Sequence, residues 1–214
     1  LCPAWALGTA RLGMPRMRTL DKYIDQVKDA GEERSSTAHI GYLLRTSPDW
    51  EYVHWLRDNW DGKLILKGVL DVRDVTKSEA TGIDALWLSN HAGRQFDAAP
   101  APIEVLPKIR AATKLPLIMD SGIEGGLDIL RAYALGADFV MIERPALFAL
   151  GAEGAAGLNA LLSCFATDIS VVMAQLGITS IDQLGPDVIF QDASHAHVDA
   201  ETKTQAALRL AAKT

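Results

Sequence analysis

His91 and Arg94 stand in the run Ser89-Asn90-His91-Ala92-Gly93-Arg94-Gln95, directly after the apolar stretch Ala85 to Leu88. An imidazole titrates near neutral pH and can take a proton from a bound ligand. A guanidinium offers two parallel N–H donors that match a carboxylate. On one loop, the pair suits a small organic acid that loses a proton close to its carboxylate. Loop histidines and arginines are more often simply solvated, so the pair draws its weight from its neighbours. Lys67 sits in the apolar run Leu64 to Val69, one structural unit earlier. At the same mouth, an ammonium would stabilise negative charge developing on a bound ring. Asp120-Ser121-Gly122, followed by Gly125-Gly126 and later by Arg144, resembles a phosphate-holding turn before a helix start.

The elements that must position these residues follow a rhythm. Apolar strands are expected at Leu64 to Val69, Ala85 to Leu88, Pro116 to Met119 and Phe139 to Ile142. Helices are expected at Asp49 to Asp58, Asp71 to Ala80, Ile103 to Thr113, Leu127 to Leu135 and Ala155 to Leu176. Short strands alternating with helices indicate parallel β/α units. The polar residues of interest follow the strands' carboxyl ends, where a (β/α)8 barrel of the TIM type builds its site. Such a barrel needs eight strands in about 250 residues. The fold class is therefore α/β, the second half of a TIM-type barrel: about four β/α units plus terminal helices. Residues 1–48 read as loop, punctuated by Pro3, Gly8, Gly13 and Pro15. Residues 49–185 read as the barrel portion, and 186–214 as a tail with a helix from Glu201 to Ala212. The helix from Asp71 is polar, with Glu79 interrupting the stripe begun by Val72 and Val75, and is expected to pack weakly.

Composition narrows the function classes. The 214 residues carry a net charge of −6, which argues against a nucleic-acid partner. Cys2 and Cys164 cannot form a disulfide framework, and neither has a metal-type partner nearby, so a reducing compartment is expected. His195 and His197 read as part of a polar loop, and no metal site is expected. Leu1 to Gly13 shows no secretory signal pattern, and Asn159, Thr167 and Asp168 break Ala155 to Leu176, which reads as an amphipathic helix rather than a membrane span.

Together the motifs resemble the FMN-dependent 2-hydroxy acid dehydrogenase and oxidase family, over roughly residues 35 to 185. The segments that carry the resemblance are Ser36-Thr37-Ala38-His39, Leu66-Lys67-Gly68-Val69, Ser89 to Gln95, Asp120-Ser121-Gly122 and Ala134-Leu135-Gly136-Ala137. The resemblance implies FMN as cofactor and a small, lactate-like L-2-hydroxy acid as substrate. It implies that His91 is the catalytic base and that Arg94 binds the substrate carboxylate. Lys67 would face the flavin N1 and O2 edge, and Ser89 would lie near the flavin. Asp120, Ser121, Gly122 and Arg144 would contact the ribityl chain and phosphate. His91 would take either the α-proton or the hydroxyl proton; the sequence leaves both open. The family also implies a homo-oligomer, cytoplasmic or peripheral to the inner membrane, with no transmembrane segment. Many relatives carry arginine where Glu124 stands and glycine where Glu143 stands, and both carboxylates would repel a phosphate. The family's first four strands, with the aspartate that pairs with the catalytic histidine, have no counterpart here. The alternative is thus a non-catalytic half-barrel acting only in assembly. Another phosphate-binding barrel, such as a flavin isomerase, would explain Gly125 and Gly126 but not His91 with Arg94.

Overall fold

The computed structural model of the chain describes residues 3–13 and 48–190. The expectations for 14–47, including the Ser36 to His39 motif, and for 191–214, including His195, His197 and the terminal helix, lie outside the described residues. The chain divides into two compact units, Leu1–Val53 and His54–Thr214.

Helix α1, Pro3–Leu12, corrects the reading of the amino-terminal segment as loop. Pro3 is the first helical residue, where a missing N–H costs nothing, and Ala and Leu dominate the residues that follow. Proline there starts a helix rather than breaking one. Helix α2, Trp50–Asp58, begins where expected. The Asp49 carboxylate accepts from the Tyr52 amide at 2.9 Å, a side-chain cap on the first turn.

In the larger unit, strands β1 (Ile65–Lys67), β2 (Ala85–Leu88), β3 (Leu117–Met119) and β4 (Phe139–Val140) form one parallel sheet in the order β1-β2-β3-β4. Helices α3 (Val72–Thr81), α4 (Pro102–Ala112), α5 (Gly126–Ala134) and α6 (Arg144–Leu176) follow the strands in turn. Sequential order with a helix after each strand is the half-barrel topology expected from the pattern. The fourth strand is shorter than expected, although the Met141 amide still donates to the Met119 carbonyl at 2.8 Å.

A repeated device sets the register. The stretches Gly82-Ile83-Asp84 and Gly136-Ala137-Asp138 each lead from a helix into a strand. Both glycines have positive φ, 76° and 105°, a turn conformation that a side chain would penalise. Ile83 and Ala137 are buried. Each aspartate then grips the neighbouring strand. Asp84 Oδ2 accepts the Leu64 amide at 2.9 Å, and Asp138 Oδ2 accepts the Leu117 amide at 2.8 Å. Arg57 and Lys63 pair with Asp84, and Arg110 pairs with Asp138. Hydrogen bonds from Lys63 and the Leu64 amide, with the nearby positive charges, hold the Asp84 carboxyl below the ordinary carboxylate range.

The register pairs Leu86 with Leu117 and Leu88 with Met119, so these four share one sheet face. All are buried, with Val75, Leu106, Ile109 and Leu130 from the helices. Each such side chain contributes about 1.5–3 kcal/mol by leaving water. Ile65, Lys67, Trp87, Ile118 and Phe139 lie on the other face by the same register. That inner face is open: Ile65 is 47% and Phe139 63% exposed.

Helix α3 is better satisfied than its sequence suggested. Its buried Ser78 and Thr81 hydroxyls donate to the Asp74 and Lys77 carbonyls, and the Glu79 carboxylate accepts from Thr113 Oγ1. Helix α6 begins at Arg144, where a strand end was expected, and breaks at Glu153 and Gly154, whose torsions are non-helical. Its second part, not its first, answers to the expected helix. Phe165 is its buried residue. Gly126, at the start of α5, lets the two helices meet: a Cβ there would lie 2.7 Å from the Ile169 nitrogen and the Phe165 oxygen. Among the described residues α6 is the helix long and apolar enough to cross a membrane, and it is mostly exposed.

Candidate active site

Parallel strands deliver their carboxyl ends to one edge of the sheet. Lys67 ends β1, Ser89 follows β2, and Asp120 follows β3. These three residues meet. Lys67 Nζ donates to Ser89 Oγ at 2.7 Å and to Asp120 Oδ2 at 2.6 Å. It also lies 4.3 Å from the centre of the Trp87 ring, a cation–π contact. Burial alone would raise the pKa of Asp120. Hydrogen bonds from Lys67, Ser89 and Ser121, with the Lys67 charge, outweigh it and hold the carboxyl below its usual range. Asp120 is therefore anionic at neutral pH, as Lys67 requires.

The same cluster holds the loop that carries His91. Ser89 Oγ accepts the His91 amide at 3.1 Å, and Ser121 Oγ accepts the Ala92 amide at 3.1 Å while donating to Asp120 Oδ1 at 2.8 Å. His91, Ala92 and Ser121 all have positive φ, 56°, 55° and 71°. Left-handed backbone costs an L-residue about 1–2 kcal/mol. A hydrogen bond returns about 1 kcal/mol each, so the two amide-to-hydroxyl bonds help offset the strain. The strained turn, His91–Gly93, is thus tied to Lys67 and Asp120 through the Ser89 and Ser121 hydroxyls.

Arg94 Nη2 lies 2.7 Å from His91 Nε2. Guanidinium has no acceptor, so in this contact it donates and Nε2 accepts. The same Nη2 lies 3.6 Å from Glu143 Oε1, and both side chains are 56% exposed.

Beside this network is a pocket of about 450 Å³, lined among others by Asn90, Arg94, Ser121, Gly122 and Arg144. The eight residues singled out by sequence therefore fall into two adjoining sets. Lys67, Ser89, His91 and Asp120 form the hydrogen-bonded cluster. Gly122 and Arg144 line the pocket. Ser121 and Arg94 belong to both. Sequence reasoning missed Trp87, although strand alternation from Ser89 puts it on the Lys67 face. It also missed Asp120 as the partner of Lys67, and Glu143 as the partner of Arg94.

The donor set can be tested against the flavin that the motifs imply. Lys67, Ser89 and Asp120 together supply a cation, a hydroxyl and a carboxylate at one strand edge. Trp87 Nε1 and Asn90 Oδ1 are buried with no hydrogen-bond partner. Such groups fit a ring with polar edges and a polyol chain. For a phosphate, Arg144 is opposed by Glu124 and Glu143 in the pocket wall.

The model of the FMN-dependent dehydrogenase family matches residues 2–191. (S)-Mandelate dehydrogenase of Pseudomonas putida is 38% identical over 189 residues, covering 88% of this chain and 47% of the relative. L-Lactate dehydrogenase of Vibrio cholerae serotype O1 (strain M66-2) is 37% identical over 191 residues, covering 86% and 49%. The crystal structure of the monotopic membrane protein (S)-mandelate dehydrogenase superposes with a TM-score of 0.74 at 36% identity, covering 89% of this chain and 50% of that one. The chain spans about half the length of the curated relatives it matches.

Proposed function

Because the chain belongs to the FMN-dependent dehydrogenase family, we propose that it takes part in oxidising a small L-2-hydroxy acid, lactate-like or mandelate-like, to the 2-oxo acid. The observation that carries this reading is the 2.7 Å contact between His91 Nε2 and Arg94 Nη2. A base and a carboxylate-binding cation sit side by side on one loop. Arg94 would hold the substrate carboxylate by its planar fork, and in turning to do so would release Nε2. His91, with Nε2 released, would then take the proton from the substrate carbon or hydroxyl beside that carboxylate. Lys67, Ser89, Asp120, Ser121, Gly122 and Arg144 would hold FMN, which supplies the electron acceptor when bound. Lys67 would stabilise negative charge on the reduced ring, and Asp120 would keep Lys67 in place.

FMN titration followed by anaerobic mixing with lactate, glycolate or mandelate tests this reading. The expected result is flavin uptake and bleaching. His91→Gln should slow bleaching by about 10²–10⁴-fold, the usual contribution of a general base. Failure to take up FMN, or bleaching that survives His91→Gln unchanged, refutes it.

Assembly belongs to the same proposal. The open inner face of the sheet suits a homo-oligomer or pairing with further strands. The monotopic membrane relative supports a peripheral membrane location.

A further inference from the structure

Three carboxylates, Asp97, Glu124 and Glu143, line the pocket against two arginines, Arg94 and Arg144. Glu143 is the one that reaches the loop chemistry. Its Oε1 lies 3.6 Å from Arg94 Nη2, the nitrogen that also faces His91. A carboxylate of the chain's own therefore stands where a ligand carboxylate would be expected. We propose that Glu143 is a specificity-determining residue: it competes with the ligand for Arg94 and restricts the pocket to 2-hydroxy acids carrying a single negative charge. The inference rests on the reading of Arg94 as the carboxylate clamp.

The chemistry follows from the charges. A monoanion can exchange with Glu143, whose exposed side chain rehydrates at little cost as it leaves. A 2-hydroxy dicarboxylate brings a second negative charge into a wall already holding Asp97 and Glu124. Arg144 is the other cation, and on the proposed reading it serves the cofactor phosphate. A neutral amide has no charge to contest Arg94 with. Glu143 thus sets the charge that the site accepts, while the rest of the pocket sets shape.

Calorimetric titration of the full chain, with and without FMN, tests this using lactate, malate and lactamide. An exposed pair is worth little, so Glu143→Gln should tighten lactate by about two- to five-fold. Malate should gain by a larger factor, and lactamide should not change. Glu124→Gln removes the same charge without touching Arg94, and should give a smaller gain. Glu143→Ser should reproduce the ordering if the Gln variant folds poorly by circular dichroism. An equal shift for lactamide would make the effect steric and overturn the proposal. So would lactate binding that Glu143→Gln leaves unaltered, or an equal gain from Glu124→Gln. If no carboxylate binds any variant, the clamp reading of Arg94 itself falls, and this inference with it.

Discussion

Coupling between Lys67 and Asp120 offers the most direct measure of whether this site is built as described. Asp120→Asn keeps the shape and removes the charge. Lys67 Nζ would keep Ser89 and an amide oxygen but lose the ionic partner at 2.6 Å. The Asp120 side chain is only 11% exposed, but that of Lys67 is 40% exposed. The pair therefore lies between exposed pairs, worth about 0–1 kcal/mol, and buried ones, whose breakage costs about 3–5 kcal/mol. We expect Asp120→Asn to cost about 1–3 kcal/mol. At roughly 2–4 °C per kcal/mol for a chain of this size, the midpoint should fall by about 2–12 °C. A cycle with Lys67→Met and the double variant, followed by thermal circular dichroism, should give a coupling energy of at least about 1 kcal/mol. The pH dependence has a definite sign. Asp120 has a lowered pKa in the folded chain, against about 3.9 when unfolded. Its contribution is fully present above about pH 4 and is lost as pH falls through the lower folded value. The gap between wild type and Asp120→Asn should accordingly narrow in acid. A coupling below about 0.5 kcal/mol, the additivity limit for independent sites, would refute the account. So would a gap that is unchanged from neutral pH into strong acid.

Ala92 should accept glycine with a gain in stability. Its φ of 55° costs about 1–2 kcal/mol with a side chain, and glycine's extra unfolded-state entropy takes back about 0.5–1 kcal/mol. A midpoint raised by a degree or more is expected; a lowered one means that the methyl group packs. Sedimentation velocity should show the chain associating, with Phe139→Asp shifting it toward monomer; a compact wild-type monomer would rule out the inner face as a contact surface.

Much of this architecture was legible because parallel β/α units write their period plainly. Ala85 to Leu88 is a strand in both readings, and Lys67, Ser89 and Asp120 arrive at the same edge because each lies at or just past a strand end. Pairings between distant residues were harder to see. Nothing local to Glu143 points to Arg94; the fold brings them together after β2 and β4. The two Gly-x-Asp stretches are visible as letters, but their role in register needs the neighbouring strand. Pro3 misled because proline both starts and stops helices. Arg144 was placed at a strand end because β4 stops at Val140, shorter than expected, and only three residues separate it from α6. Glu79 looked like a defect in α3 until Thr113 supplied its donor.

The open inner face of the sheet has a bearing on the strength of every polar contact beside it. Lys67 sits on that face together with Ile65, Trp87 and Phe139, and water reaches it. Two unit charges interact about four times more strongly at an effective dielectric of 20 than in bulk water. Covering the face would therefore strengthen the Lys67–Asp120 pair, and any charge placed near it, without moving a single atom of the site. Solvent access would then act as a gain control on the Coulombic part of the pair, set against the cost of desolvating both charges.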